Sequence, residues 1–319
     1  MWVLCAILLA AVITPWLYQS GKWLAAIGET REMPALIESL ARSCGRAKID
    51  RYYDRALLLS AVLLLPFLRL RIRGLRAVSH AGPDRRKHYP KSSITLQIVI
   101  GCVLAGGLLW GMGMLLETVG AYTTKPDPPQ AGRIISKVVI PAIAAPLVEE
   151  WLFRGILLGL WLRFAKPLAA CIGSSLVFAI MHFLEPGPGA AIADPTHPLA
   201  GFQLVGKILN HFTDPLFFST EFAVLFGVGC ILAWARVRTG ALWFSIGLHA
   251  GWVAAFKGFN LLHVAVEDHP LRPWGIGSGL SSGLVPMLAL VVTAGVCHFV
   301  MLWFPDEKSA AHHGDHADV

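Results

Sequence analysis

The sequence predicts an all-α protein, a polytopic integral membrane bundle of about eight transmembrane helices. Three observations carry that expectation. The chain is 55% hydrophobic and only 15% charged, with a mean hydropathy of +0.60, whereas a soluble domain is nearer a quarter charged. Apolar runs of membrane-spanning length recur along it. No stretch is both long enough and polar enough to fold as a large soluble domain.

The spans are read in order. The first covers about Trp2 to Tyr18 and is apolar from the start, with no charged leader and no small-residue cleavage site before Gln19, so it reads as an uncleaved span. Residues 19–55 are polar. Within them Leu36, Ile37, Leu40 and Ala41 recur at helical spacing after Pro34, which fits an amphipathic helix at the membrane interface and equally an ordinary loop helix. The second span is Ala56 to about Leu70, with Arg69 able to snorkel. The third, Ile94 to about Leu116, is rich in glycine (Gly101, Gly106, Gly107, Gly111, Gly113), and small residues let helix backbones approach closely in lipid. Pro126, Pro128 and Pro129 break the chain before the fourth, which starts near Ile134 and runs toward Phe164. The fifth is Leu168 to about Leu184, the sixth Leu216 to Trp234, the seventh Ala241 to about Phe256 and the eighth Leu284 to Phe304. A hydrophilic tail follows.

Orientation comes from basic loops. Arg69, Arg71, Arg73, Arg76, Arg85, Arg86, Lys87 and Lys91 stand almost unopposed, and Arg163 with Lys166 and Arg236 with Arg238 mark two further turns. Eight spans place all three on one side, which the positive-inside rule makes cytoplasmic, together with both termini. The loop 19–55 resists, since it is basic and assigned to the outside. The net charge of +7 is therefore read as loop charge, and nucleic-acid binding is not expected. Of the six cysteines, only Cys44 lies outside an apolar run, and none pair at metal-ligand spacing, so neither a disulfide framework nor a thiolate metal site is expected. A bacterial inner membrane is the expected location.

Chemistry points to Ala145-Pro146-Leu147-Val148-Glu149-Glu150-Trp151-Leu152-Phe153-Arg154-Gly155. Two carboxylates and an arginine sit inside an apolar run, where ionised side chains are costly and mark function by default. Glu150 and Arg154 are one turn apart and can pair. Glu149 is rotated by about 100° and can point into the bundle. His182 follows Phe178 by one turn in the fifth span, and His249 lies between Gly247 and Gly251 in the seventh. That small-xxx-small spacing lets the seventh span approach a neighbour. A carboxylate with two imidazoles can bind a divalent metal such as zinc. It can equally activate water directly, with glutamate as base and histidines stabilising an oxyanion. A lone histidine or a lone Glu–Arg pair is commonly structural. The adjacent Glu-Glu together with histidines on two other spans favours function.

Glu149-Glu150-x-x-x-Arg154, Phe178-x-x-x-His182, the run Phe226-Gly227-x-Gly229 and Thr239-Gly240-Ala241-Leu242 leading to His249 together resemble the CPBP family of intramembrane proteases. That family comprises CAAX prenyl proteases and bacteriocin-processing relatives. The resemblance covers about 134–256 and implies an intramembrane endopeptidase acting on a peptide or protein substrate at the lipid bilayer. It implies that Glu149 activates water, that Glu150 and Arg154 support the site with Phe178, and that His182 and His249 bind metal or stabilise the oxyanion. One position departs from the pattern. The family's last motif is His-x-x-x-Asn, and here Val253 stands at the fourth place, with Asn260 about three turns on.

The expected organisation is an N-terminal region 1–133, a catalytic core 134–258 and a last span with its tail over 259–319. Glu221, the outer-loop residues Asp194, His197, His211 and Asp214, and the tail residues His312, His313 and His316 are weaker candidates. Two other functions compete with proteolysis: a proton-coupled transporter using Glu149, which would usually show internal repeats, and a non-catalytic membrane scaffold or regulator, which Val253 favours. No serine, cysteine or threonine stands with the site as an evident nucleophile, so hydrolysis without a covalent intermediate is expected.

Overall fold

The computed structural model describes residues 2–64, 66, 91–184, 192–277 and 279–302. The expected basic loop from Arg69 to Lys87 and the histidine-bearing tail lie outside them. The described chain divides into two compact units, one of residues 1–87 with 182–214 and one of residues 88–181 with 215–319.

The first unit is helical. α1 (Trp2–Thr30) packs on α2 (Ala35–Arg46), α3 (Ile49–Leu63) and, from the later segment, α7 (Ala200–His211). Small residues set these contacts. A Cβ on Gly21 would lie 2.1 Å from the Tyr52 hydroxyl, and one on Gly201 would lie 2.0 Å from the Ala11 carbonyl, so both positions need glycine. α1 runs well past the expected end at Tyr18. Its polar extension finds partners: Lys22 Nζ donates to the carbonyls of Gly45 at 2.6 Å and Ala47 at 3.0 Å, satisfying groups that α2 leaves open at its C-terminus. In α2 the expected apolar stripe divides, with Ala41 buried and Ile37 and Leu40 exposed, and Cys44, outside that stripe, is buried as well.

The second unit carries α4 (Lys91–Thr118), β1 (Tyr122–Thr124), α5 (Ala131–Trp161), α6 (Pro167–His182, up to Met181), α8 (Pro215–Thr239), α9 (Trp243–Leu262), β2 (His263–Ala265) and α10 (Leu284–Leu302). α9 is its centre: half of its residues are buried and none is exposed. Its neighbour through the expected Gly247/Gly251 face is α4. A Cβ on Gly247 would lie 2.3 Å from Ile98 O and one on Gly251 would lie 2.3 Å from Cys102 O, while Gly101 and Gly106 answer from the α4 side. Backbone meets backbone there, as small residues allow in lipid. Beyond the helices, β1 and β2 pair antiparallel with Tyr122 opposite Ala265. Lys125 Nζ donates to Asn260 O at 2.6 Å, so the ends of α4 and α9 are fastened together. Gly240, at φ 69°, ends α8 in the left-handed conformation that glycine adopts without strain.

Among the described residues, five helices are long and apolar enough to cross a membrane: α4, α5, α8, α10 and Leu4–Thr30 of α1. The architecture is an all-α membrane bundle, but the expected count of about eight is not reached on these criteria. The other three expected spans correspond to α3, to α6, which is apolar but only 16 residues long, and to α9. Enclosure explains α9: a helix surrounded by other helices does not need the uniform apolarity that lipid demands.

Candidate active site

α5 is one helix of 31 residues with two π-helical stretches, Ile135–Val139 and Trp151–Leu157. They bracket the α-helical piece Ile140–Glu150, which contains Pro146. Such wide turns inside helices often accompany functional sites. The two glutamates end the piece and the arginine falls within the second wide turn.

Glu150 is fully buried and Arg154 nearly so, and Arg154 Nη1 donates to Glu150 Oε1 at 3.0 Å. The same Oε1 lies 2.9 Å from His249 Nδ1. An ionised carboxylate only accepts hydrogen bonds, so Nδ1 carries the proton and the carboxylate fixes the ring, as outer carboxylates orient histidines elsewhere. Glu150 Oε2 is buried with no hydrogen-bond partner among the described residues. Arg154 Nη2 donates to the Gly229 carbonyl of α8 at 3.2 Å. Its guanidinium lies over the Phe178 ring at 4.2 Å, a placement that favours the cation. Phe178, fully buried on α6, stands edge-on to His249 at 6.1 Å and to Phe153 at 5.1 Å.

Glu149 differs from its neighbour. Its side chain is 27% exposed, and Oε2 lies 3.8 Å from His249 Nε2. The imidazole thus stands between two carboxylates, hydrogen-bonded to Glu150 through one nitrogen and facing Glu149 with the other. Four helices of one unit converge on the cluster: α5 with Glu149, Glu150 and Arg154, α6 with Phe178, α8 with Gly229 and α9 with His249.

His182 is the last residue of α6, is exposed, and falls in the first unit. Among the described residues no three His, Cys, Asp or Glu side chains are arranged to hold a metal ion. Glu149 and His249 alone are one donor short of the three protein ligands that a catalytic zinc takes.

Val253 follows His249 by one turn and, with it, lines an apolar cavity of about 130 Å³. Asn260 does not reach the site; a Cβ on Gly279 would lie 2.8 Å from its Nδ2, so its amide packs against the segment that precedes α10. The weaker candidates are local. Thr196 N and Oγ1 donate to Asp194 Oδ1 at 2.9 and 2.6 Å and hold that carboxyl below its usual range. Leu199 N donates to His197 Nδ1, His211 and Asp214 end α7 and its following turn, and Glu221 is exposed. The sequence reading missed two features: the Gly229 carbonyl as an Arg154 acceptor, and the cavity. The Phe226-Gly227-x-Gly229 run was the available signal for the first.

No curated protein and no solved structure matches the chain. The residues that converge here, from Glu149 to His249, all fall within 131–255, the stretch that matches the family described as type II CAAX prenyl endopeptidase Rce1-like. The resemblance read from the sequence is borne out to that extent: this stretch of the chain matches the Rce1-like CAAX endopeptidase family.

Proposed function

We propose that the protein is an intramembrane endopeptidase in which Glu149 activates water against a peptide bond of a membrane-associated substrate. The family is a protease family, and one observation carries the assignment of roles. Of two adjacent carboxylates, Glu150 is buried and bonded to Arg154 and His249, while Glu149 remains partly exposed facing His249 Nε2 at 3.8 Å. A water admitted between them would touch both groups. Glu149 takes its proton as oxygen attacks the scissile carbonyl, and returns it to the leaving nitrogen. With Nδ1–H held by Glu150, a protonated His249 presents Nε2–H to the developing oxyanion. Glu150 and Arg154 are positioning residues. Arg154 offsets the charge of Glu150, and Phe178 shields both from lipid. His182 remains a candidate second stabiliser on the strength of the sequence pattern alone.

A membrane-embedded peptide substrate, the bilayer as its solvent and both termini on the cytoplasmic side complete the reading. The test is peptidomics of cells carrying the wild type or Glu149→Gln. Glutamine keeps the shape and removes the base, so processed peptides disappear while the variant remains inserted and folded. Unchanged processing by Glu149→Gln would refute the role of Glu149. Proton-coupled solute uptake by the wild type in proteoliposomes, without any processed peptide, would replace the reading with transport.

A further inference from the structure

We infer that Glu117 and His263 form a proton-operated latch that ties the end of α4 to the end of α9. Both lie in the second unit and away from the cluster at Glu149. His263 follows α9 directly, about 21 Å along the helix from His249, and Glu117 stands in the last turn of α4. His263 is buried. Its Nδ1 lies 3.1 Å from the Phe259 carbonyl oxygen, and its Nε2 lies 3.5 Å from Glu117 Oε2. Thr124, opposite His263 in the β1–β2 ladder, donates from Oγ1 to Glu117 Oε1 at 2.5 Å. α4, β1 and the junction of α9 with β2 therefore meet at one carboxylate and one imidazole.

The number of protons makes this contact a switch. A carbonyl oxygen and an ionised carboxylate only accept hydrogen bonds, and a neutral imidazole has a single N–H. Either neutral tautomer thus leaves one ring nitrogen with its lone pair turned to an oxygen. Only the imidazolium donates on both sides. Water has little room to make up the difference, because Phe259 stacks on the ring at 3.9 Å and Trp110 meets it edge-on at 6.5 Å. The last carbonyls of α9 add the negative end of the helix dipole, which favours a cation there. The latch is therefore closed where His263 is protonated. It is lost as pH rises through the range in which imidazoles change charge.

The charges nearby have other places. Lys125 Nζ donates to the Asn260 and Leu261 carbonyls, sharing the helix end with His263 as a like charge. His269 Nε2 lies 3.2 Å from Val119 O, just past the end of α4. Arg272 acts on Tyr122 of β1. Lys257, half-buried on α9, stands six residues before His263. Asp127, Glu267 and Asp268 in the flanking turns are exposed, as are Arg133 and Lys137 at the start of α5, which packs on α9. Glu117 is the carboxylate that the imidazole meets.

The test is amide hydrogen exchange of the full-length protein in nanodiscs, corrected for intrinsic rates, between about pH 5 and about pH 8.5. In the wild type, protection of the β1 and β2 amides should fall about tenfold over that range, the scale of one hydrogen bond to a charged group. His263→Ala should show the low protection at every pH. Glu117→Gln inverts the requirement: its amide donates to Nε2 of a neutral imidazole while its carbonyl still accepts from Thr124, so protection should persist to high pH. A contact that only packs the helix ends together would give no such reversal. His269→Gln removes the neighbouring imidazole and should keep the wild-type response. Unchanged protection around Gly251 reports that each variant is folded. Wild-type protection indifferent to pH, a Glu117→Gln variant that keeps the pH response or is open at every pH, or a response abolished by His269→Gln would overturn the latch.

Discussion

His249 Nδ1 and Glu150 Oε1 meet at 2.9 Å, between helices whose residues are 99 positions apart in the chain. The bond joins the least exposed carboxylate to the imidazole that faces the more exposed one. It divides two chemically identical neighbours into a support and a reactant, because only one of them can be enclosed on that side of the helix.

The first prediction concerns the buried pair. Glu150→Ala leaves Arg154 charged and enclosed, with the Gly229 carbonyl and the Phe178 and Phe153 rings among its remaining contacts. Breaking a buried pair from one side costs about 3–5 kcal/mol. Thermal unfolding in detergent should show Glu150→Ala well below the wild type, and Glu149→Ala close to it. Equal destabilisation by the two would refute the division of roles.

Metal dependence is the second. Two facing donors and no third among the described residues predict that hydrolysis survives exhaustive chelation of the purified protein, with less than one equivalent of zinc by elemental analysis. Activity lost on chelation and restored by zinc would make Glu149 and His249 ligands and would require a donor outside this cluster.

Helix contact gives the third. Gly251→Leu pushes a side chain into Cys102 O of α4, which a Cβ alone would approach to 2.3 Å. Overpacking of this kind costs about 1–3 kcal/mol, and it displaces His249 half a turn away. Cleavage should fall much more than insertion or expression, and Gly107→Leu, at a position where a Cβ meets nothing within 4 Å, should leave both near wild type.

The fourth is Val253→Asn. An amide one turn from His249 adds a donor where the oxyanion is expected, and a well-placed donor is worth about 10²–10³ in rate. Placed in an apolar wall, it should also destabilise the protein by about 1–3 kcal/mol. Single-turnover kinetics should show faster cleavage alongside a lower unfolding temperature. Slower cleavage would assign oxyanion stabilisation to His249 without help from this position.

Much of the fold was readable because lipid leaves few choices. Long apolar runs from Ile94, Ile134, Leu216 and Leu284 became helices close to the expected limits. The Gly247/Gly251 spacing announced a close helix contact, though not that α4 would supply it. α1 overran its apolar stretch because Lys22 finds carbonyl partners on α2, which no local pattern records. The Glu150–Arg154 pair follows from one turn of helix. The Glu150–His249 bond does not, since no spacing rule connects residues so distant. Neither the π-helical stretches of α5 nor the cavity could be read, as both depend on neighbouring helices rather than on residue order.

The intrahelical pairing of Glu150 with Arg154 has a consequence for biogenesis. Residue 150 is synthesised long before residue 249, so α5 must enter the bilayer while its later imidazole partner has not yet been made. Arg154, one turn away on the same helix, is the counter-charge that travels with Glu150 from the ribosome. It makes integration of α5 independent of everything downstream, whereas His249 arrives afterwards and converts an already inserted ion pair into working machinery.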